Sequence, residues 1–349
     1  MRLIQYVGFF PYLCGVMDTP QAISGTSQNE RTTVIRSLIG SAKSRIGDRI
    51  FYIVCAFSGI LIMAVIAGLI LQLIVNSNLT ISKFGLGFIT SSVWDPVNEQ
   101  FGAAPFIYGT IMSSVLGLLL ALPLSLGIAV FLVEIAGTRL RTVLSFLVET
   151  LAAIPSIVYG LWGIIVMVPM LSNIIGGYLQ NHYGDAYGDT VPFFYGPSIL
   201  SSAVILAIMI LPIITSISRD VMLAIPMSQR EAALALGSTK WEAIKIVVSN
   251  ARWGILGAVI LGLGRALGET MAVTMVIGND PHINASVLQS SYSMASVIAN
   301  ELNEATSAMH NSALIEIGLV LLITTFIVNM LARLLVWSVT RKRFAGGRL

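Results

Sequence analysis

Long apolar runs alternate with short polar stretches along the whole 349-residue chain. A run of roughly 18 or more apolar residues predicts a membrane-spanning helix, because about 20 residues at a rise of 1.5 Å cross the hydrocarbon core. Six runs qualify: Ile50–Val75, Phe106–Val133, Val143–Leu171, Ile199–Ile217, Gly254–Gly278 and Leu314–Ser338. The pattern therefore predicts an all-α, polytopic integral membrane protein with about six transmembrane helices.

Proline interrupts three of the predicted spans, at Pro123, Pro155 and Pro212. In a membrane helix, proline commonly produces a kink, and neighbouring helices satisfy the backbone groups that it frees. We therefore expect packed, bent helices rather than a straight bundle.

The spans divide the chain into consecutive regions. These are an N-terminal extension (1–49), a first transmembrane helix (50–75), an external loop (76–105), a core (106–338) that contains a polar loop (218–253), and a basic tail (339–349). The extension has one early charge, Arg2, and no clear small-residue cleavage site precedes its basic segment, which favours a cytoplasmic or interfacial extension over a signal peptide.

Charge supports this topology. Only 11% of the residues are charged, whereas roughly 25% is typical of soluble domains. Seventeen of the 20 lysines and arginines fall on one side of the predicted spans, which predicts that both termini lie in the cytoplasm. A net charge of +3 does not indicate nucleic-acid binding, because the basic residues are not gathered on a soluble face.

No chemistry for catalysis or metal binding stands out in the sequence. Two cysteines and three histidines show no convergent ligand spacing, so no metal or other cofactor is expected. The chain also lacks the GxxxxGK[ST] pattern that cradles nucleotide phosphates. We therefore expect a transport subunit rather than an enzyme, with any ATP hydrolysis carried out by a partner.

Loop 218–253 carries two patterns that predict helix starts. Ser228–Glu231 and Thr239–Glu242 both have the spacing of a capping box, in which a hydroxyl and a carboxylate bond reciprocally to backbone amides. Gly237 suits the left-handed position just past a helix end. The sequence thus predicts two short helices meeting at Gly237, the first small enough to dock into a groove on another protein.

The residues of the first helix resemble the EAA loop of ATP-binding-cassette (ABC) importer permeases. Glu231, Ala232 and Ala233 are followed, after three residues, by Gly237. In that family, this loop docks into the nucleotide-binding subunit, so the resemblance implies that Glu231, Ala232, Ala233 and Gly237 couple the chain to an ATPase. The chain departs from the family pattern at 247–250, where Val-Val-Ser-Asn replaces Ile-x-Leu-Pro.

The fifth span contains two charges, Arg265 and Glu269. A charge at mid-span is costly, so it needs compensation or a function. On a helix these residues would share one face at i and i+4, which allows a self-neutralised structural pair. Alternatively, the arginine fork could contact a tetrahedral oxyanion while Glu269 holds the fork in the absence of the anion.

Four segments together closely resemble the phosphate-specific ABC importer permeases: 101–105 (FGAAP), 154–160 (IPSIVYG), 233–237 (ALALG) and 264–273 (GRALGETMAV). The resemblance covers about residues 50–343. Importers of this family contain two sister permease subunits, and the sequence Gly-Glu-Thr-Met-Ala-Val is similar to that of the C-type subunit. It implies the type I importer permease fold in a prokaryotic plasma (inner) membrane. It also implies that Arg265, Glu269 and Thr270 lie on the substrate pathway.

The same resemblance implies a set of partners. These are an A-type sister permease forming a heterodimer, two ATP-binding subunits, and a soluble phosphate-binding protein that delivers inorganic phosphate. Two alternatives stay open at this point. One is a permease for another oxyanion, sulfate or molybdate, and the other is a membrane phosphate sensor or scaffold acting on a kinase pathway.

The remaining charges near the membrane are expected to be mostly structural. Glu134 and Glu149 flank Arg139 and Arg141, so we predict that these carboxylates pair with these two arginines. Arg333 lies close enough to the end of the sixth span to extend to the interface.

Overall fold

The computed structural model describes residues 42–178 and 196–345, with side chains described over 47–178 and 196–334. Most of the predicted extension (1–49), the side chains of the tail (339–349) and His182 therefore lie outside the described residues. The chain divides into two compact units, residues 1–68 and 69–349, and the described part of the first unit is helical.

The described residues form helices joined by connections of varied length, the longest being 91–103 and 277–293, with only two isolated β-bridges. The first helices are α1 (Ala42–Asn76), α2 (Asn78–Phe84), α3 (Gly87–Thr90), α4 (Ala104–Val130), α5 (Thr138–Ala153), α6 (Ser156–Trp162) and α7 (Val168–Leu171). They are followed by α8 (Ile199–Leu223), α9 (Met227–Ala235), α10 (Lys240–Leu267), α11 (Met271–Val276), α12 (Met294–Glu301) and α13 (Ala308–Ala345). Three π-helical turns continue these helices. Phe131–Ile135 extends α4, Gly163–Met167 joins α6 to α7, and Ser172–Gly176 extends α7.

Within this described part, six helical stretches are long and apolar enough to cross a membrane. They are Gly47–Asn76, Ala104–Ile135, Ser156–Gly176, Ile199–Leu223, Lys240–Leu267 and Ala308–Leu334. Large apolar side chains are exposed along them, as in Phe51, Leu119 and Phe326, which suits a surface in contact with lipid. The predicted all-α, six-span architecture is confirmed.

The third span differs from its prediction. The apolar run 143–171 was expected to form one helix, but α5 ends at Ala153 and a new helix begins at Ser156. Pro155 is the cause, because a proline disfavours the helical conformation of the preceding residue, and Ile154 is accordingly extended, with φ −67° and ψ 129°. The first part of the predicted span is therefore a separate helix, α5.

The fifth span also differs, at both ends. α10 begins at Lys240, well before the predicted start at Gly254, and ends at Leu267 rather than near Gly278. The chain then continues as the short helix α11. The predicted second helix of loop 218–253 and the predicted fifth span are thus one continuous helix, followed by a break.

Spans two and four form the centre of the bundle. Small residues allow close approach, since a Cβ on Gly117 of α4 would lie 3.1 Å from the carbonyl oxygen of Ala203 in α8. Near the prolines of these helices, the Ser125 hydroxyl donates to Leu211 O (3.3 Å) and the Thr215 hydroxyl donates to Ser125 O (3.4 Å). Close packing combined with interhelical hydrogen bonds is how helices associate in lipid, where the solvent itself supplies no hydrophobic drive.

The end of the bundle opposite α9 is closed by aromatic and polar side chains. The Trp94 indole donates to Glu301 Oε2 (3.0 Å), and His310 Nε2 lies 3.0 Å from the same oxygen. His310 occupies the first turn of α13 and is buried. Burial raises the pKa of nearby Tyr292 to about 12, so its phenol stays protonated and available for hydrogen bonding.

Gly109 of α4 provides a test of the close packing at this end. A Cβ at Gly109 would lie 2.8 Å from Ser291 Oγ and 2.9 Å from the carbonyl carbon of Tyr292. We expect Gly109→Ala to destabilise the protein by about 1–3 kcal/mol, the usual cost of overpacking. Thermal unfolding of the purified protein in detergent measures the change.

Gly127→Ala is the matched control, because Gly127 lies in the same helix, α4, but has open space where a Cβ would be placed. We expect this variant to be neutral or slightly stabilised, since alanine favours the helix. Equal loss of thermal stability in the two variants would contradict the close-approach interpretation of Gly109.

Candidate functional sites

The predicted docking helix is present as α9, but its predicted N-terminal cap is wrong. The helix begins at Met227 with Pro226 in the cap position, and no side chain bonds to the free amides. Ser228 therefore already lies in the first helical turn and cannot act as the cap. Pro226 itself is non-helical, with φ −57° and ψ 138°, so the helix starts directly after it rather than at the serine.

The other end of α9 follows the prediction. Gly237 has φ +82°, and its amide donates to Leu234 O (3.0 Å) while the Ser238 amide donates to Ala233 O (3.2 Å). These two bonds form a Schellman motif, which requires a residue with a left-handed backbone. Gly237 supplies this conformation without strain.

The second capping box is confirmed at the start of α10. The Thr239 hydroxyl accepts from the Glu242 amide (3.4 Å), and the Glu242 carboxylate accepts from the Thr239 amide (2.7 Å). Residues 247–250, where the sequence lacks the family's Leu-Pro, lie inside α10. Because no proline breaks the helix there, α10 connects the docking region to span five as a single rigid element.

The motif residues of α9 differ in their exposure. Glu231 and Ala232 are exposed, whereas Ala233 is buried against the bundle. Beside them lies a groove with a volume of about 580 Å³, lined by both charged and apolar side chains, including Glu231, Leu234 and Trp241. α9 therefore presents one face outward while its other face is held on the bundle.

Arg230, directly before the motif, holds α9 in place and was not identified from the sequence. Its guanidinium donates to Glu134 at the end of span two, to the carbonyl oxygen of Met222 in the last turn of span four, and to that of Ile225 just after it. The predicted pairing of Glu134 and Glu149 with Arg139 and Arg141 is therefore wrong. Glu149 pairs with Arg219, at 3.1 Å.

Arg141 has a different role from the one predicted. Its guanidinium donates to the carbonyl oxygens of Leu132 and Val133, both at 2.7 Å. These carbonyls lie in the π-helical turn that ends span two. The only sequence signal for the contacts of Arg230, Arg219 and Arg141 was the presence of charges next to apolar spans. Such a charge does not indicate which residue it pairs with.

The second candidate site lies at the break after α10. Arg265 and Glu269 do not share the helix face expected from their i, i+4 spacing, because α10 ends at Leu267 and Glu269 and Thr270 lie outside any helix. Of the two alternatives left open by the sequence, the self-neutralised pair is therefore not formed. No ion pair joins Arg265 to Glu269 within the described part of the chain. The helix break at Gly268 separates the two side chains.

Each residue at the break has a distinct environment. Arg265 is exposed in the last turn of α10, where a cation interacts favourably with the free carbonyls of the helix end. Glu269 is half-buried, and its carboxylate accepts from the Ala272 amide of α11 (3.4 Å). The carbonyl oxygen of Thr270 accepts from the Thr274 hydroxyl (2.7 Å).

The break lies inside the bundle rather than at its end. Ala272 and Val276 of α11 pack with Tyr159 of α6 and Ile205 of α8 in one apolar cluster. Gly160 permits the contact with α6, since a Cβ there would lie 3.1 Å from the Cα of Ala272. Two interrupted spans, the third and the fifth, therefore meet beside Arg265, Glu269 and Thr270.

Comparison with known proteins identifies the class to which this fold and these sites belong. Residues 121–341 match the family described as binding-protein-dependent transport system inner membrane component, and the chain belongs to this family. It is thus a multi-pass inner membrane protein of the permease class.

Several curated relatives are phosphate transport system permease proteins named PstC. The chain is 42% identical to that of Mesorhizobium japonicum over 290 residues, which cover 82% of this chain and 89% of the relative. It is 41% identical to that of Haemophilus influenzae over 295 residues (83% and 93%). It is 37% identical to PstC 2 of Mycobacterium tuberculosis over 298 residues (83% and 92%). The resemblance to phosphate-specific importer permeases is confirmed.

The two predicted capping boxes can be tested against each other. Thr239→Ala removes a cap, which typically stabilises a helix by about 1 kcal/mol, so we expect faster amide hydrogen exchange in the first turn of α10. Mass spectrometry of the detergent-solubilised protein measures the exchange. Ser228→Ala is the control, because Ser228 forms no cap, and unchanged exchange is expected there. Equal acceleration in both variants would contradict the assignment.

Proposed function

We propose that the chain is the C-type permease subunit of an ATP-driven importer of inorganic phosphate. The relatives named for phosphate transport support the substrate, and the EAA-like helix α9 supports the coupling to a separate ATPase. The chain itself supplies the translocation pathway and performs no ATP chemistry.

The observation that carries this proposal is the exposed arginine at the break in span five. A guanidinium facing hydrocarbon is costly, on the order of 2.5–3.5 kcal/mol even on the mildest scales. Arg265 has no ion-pair or hydrogen-bonding partner within the described part of its own chain, so its surroundings must come from a second subunit or a water-filled path. Arginine suits a tetrahedral oxyanion because its planar fork donates two parallel hydrogen bonds.

Glu269 and Thr270 complete the proposed pathway. Glu269 lies just beyond the break, where its carboxylate accepts from the Ala272 amide at the free end of α11. Thr270 lies next to Glu269 at the N-cap position of α11, where its carbonyl oxygen accepts from the Thr274 hydroxyl. Helix breaks of this kind commonly form substrate sites in transporters, because free backbone groups face the pathway.

The proposed assembly contains an A-type sister permease, two ATP-binding subunits and a soluble phosphate-binding protein. The sister permease would cover the exposed face around Arg265. The bias of lysine and arginine supports a cytoplasmic location for α9 and for both termini. Each ATP-binding subunit would then meet Glu231, Ala232, Ala233 and Gly237, or their counterparts in the sister subunit, from the cytoplasm.

The alternatives considered from the sequence are not favoured. A sulfate or molybdate permease would share the coupling helix, but the relatives given above are named for phosphate. A sensor that moves no substrate would not need an uncompensated arginine inside the membrane. A regulatory contact with a phosphate-sensing kinase pathway is compatible with transport and would use the same cytoplasmic surface.

Phosphate uptake tests the role of Arg265. We expect Arg265→Ala to reduce uptake of labelled phosphate by about tenfold or more, because a hydrogen bond to a charged group contributes about 1.5–3 kcal/mol. Arg265→Lys should retain part of the activity, since it keeps the charge but not the fork. Uptake is measured in cells that contain equal amounts of each variant in the membrane.

Arg333→Ala is the control for the loss of a membrane arginine, because Arg333 is exposed and lies within a turn or two of the end of the sixth span predicted from the sequence, Leu314–Ser338. Its uptake should match that of the unaltered protein. Normal uptake by Arg265→Ala at normal protein levels would contradict an anion contact at this position.

Association with the ATPase tests the role of Gly237. We expect Gly237→Val to insert into the membrane but to retain less of the ATP-binding subunit, because a left-handed conformation costs an L-residue roughly 1–2 kcal/mol. Co-purification of the ATP-binding subunit with the tagged permease measures this. Gly137→Val is the control, since Gly137 has φ −63° and open space around it. Full co-purification with Gly237→Val would count against α9 as the docking helix.

A further inference from the structure

The Arg230 side chain joins three elements at the end of the bundle that carries α9. Its Nε and Nη2 atoms lie 3.0 and 2.9 Å from Glu134 Oε1, at the end of span two. Its Nη1 donates to Ile225 O (3.1 Å) and its Nη2 donates to Met222 O (3.2 Å), at the end of span four. A single guanidinium on α9 thus contacts the ends of both central spans.

This contact is protected from solvent. The Arg230 and Glu134 side chains are each only 13% exposed. Arg141 fixes the same end of span two from another side, through the carbonyl oxygens of Leu132 and Val133. The end of span two that carries Glu134 is therefore held in a defined conformation. A displacement of Glu134 must move this helix end with it.

Few other polar contacts hold α9. Among the described residues, every hydrogen bond from an α9 side chain to the ends of spans two and four comes from Arg230. Gln229 instead accepts from Asn250 of α10 (2.6 Å), and Ala233 packs on the bundle. α9 thus contacts α10 by packing and by this hydrogen bond, whereas its side-chain hydrogen bonds to the ends of spans two and four all come from one arginine.

We propose that Arg230 and Glu134 are positioning residues that transmit movement of α9 to spans two and four. The inference rests on the proposed function, in which an ATP-binding subunit displaces α9. A rigid ion pair with two further backbone bonds transmits such a displacement in both directions, whereas apolar contacts can slide. Transport would then depend on this contact even though neither residue touches phosphate or ATP.

Two variants separate transmission from simple stabilisation. Arg230→Lys keeps the charge, but a lysine ammonium lacks the fork that bonds Glu134 and two carbonyls together. The double variant Arg230→Met/Glu134→Leu removes both charges, a change that commonly preserves stability because no buried charge is left unpaired. Both variants are therefore expected to assemble.

The experiment uses the complete transporter reconstituted in liposomes, with phosphate-loaded binding protein. Phosphate uptake and ATP hydrolysis are measured in the same vesicles. We expect hydrolysis within about twofold of the unaltered complex and a fall of about fivefold or more in phosphate moved per ATP, the scale of losing one hydrogen bond. A loss of transmission lowers this ratio, whereas a merely destabilised complex loses both activities together.

The pair formed by Arg219 and Glu149 provides the matched control. It joins α8 to α5 at 3.1 Å but does not contact α9. Arg219→Lys and Arg219→Met/Glu149→Leu should keep the ratio of phosphate to ATP unchanged.

An unchanged ratio of phosphate moved to ATP hydrolysed in Arg230→Lys would overturn the inference. A parallel fall of uptake and hydrolysis in both Arg230 variants would do the same. Either result would leave the proposed function intact. An unaltered complex that hydrolyses ATP without moving phosphate would instead overturn the proposed function, and the inference that depends on it.

Discussion

Hydrocarbon offers no hydrogen-bonding partners to the backbone, and this constraint governs where the helices of the chain can be interrupted. Each interruption is accompanied by a side chain that satisfies freed groups. The Tyr159 hydroxyl donates to Leu151 O across the break at Pro155 (2.8 Å). Glu269 accepts from the Ala272 amide after the break in span five, and Arg141 donates to carbonyls at the end of span two. At these three places, the surrounding fold supplies partners for backbone groups that the end of a helix leaves free.

Because hydrocarbon offers no hydrogen-bonding partners, the arginines near the membrane fall into two kinds: those bonded to their own chain and those that are not. Arg230 and Arg141 are half-buried and fully engaged with their own chain, so they act as structural ties near the membrane surface. Arg265 is exposed beside a helix break and forms no hydrogen bond or ion pair with the other described residues. A charge that the chain leaves uncompensated within the membrane is the expected property of a site completed by a partner or a substrate.

The two sites are connected through one continuous helix. α10 begins at the capping box beside α9 and ends at the break that follows Arg265. Because the helix contains no proline, a displacement at Thr239 reaches the break without an intervening hinge. The contact of Arg230 with spans two and four acts alongside this helix, so movement of α9 would alter both walls of the pathway together.

The sequence alone determined the number of spans, the all-α class, the glycine that ends α9 and the cap of α10, because these follow from hydrophobic length and from bonds within a few residues. It did not determine which charges pair, since Glu134 meets Arg230 across 96 positions of sequence. Nor did it show that Arg265 and Glu269 are separated, because a charge spacing of four predicts a shared face only if the helix continues. Only the tertiary packing of α11 against α6 decided where that helix ends.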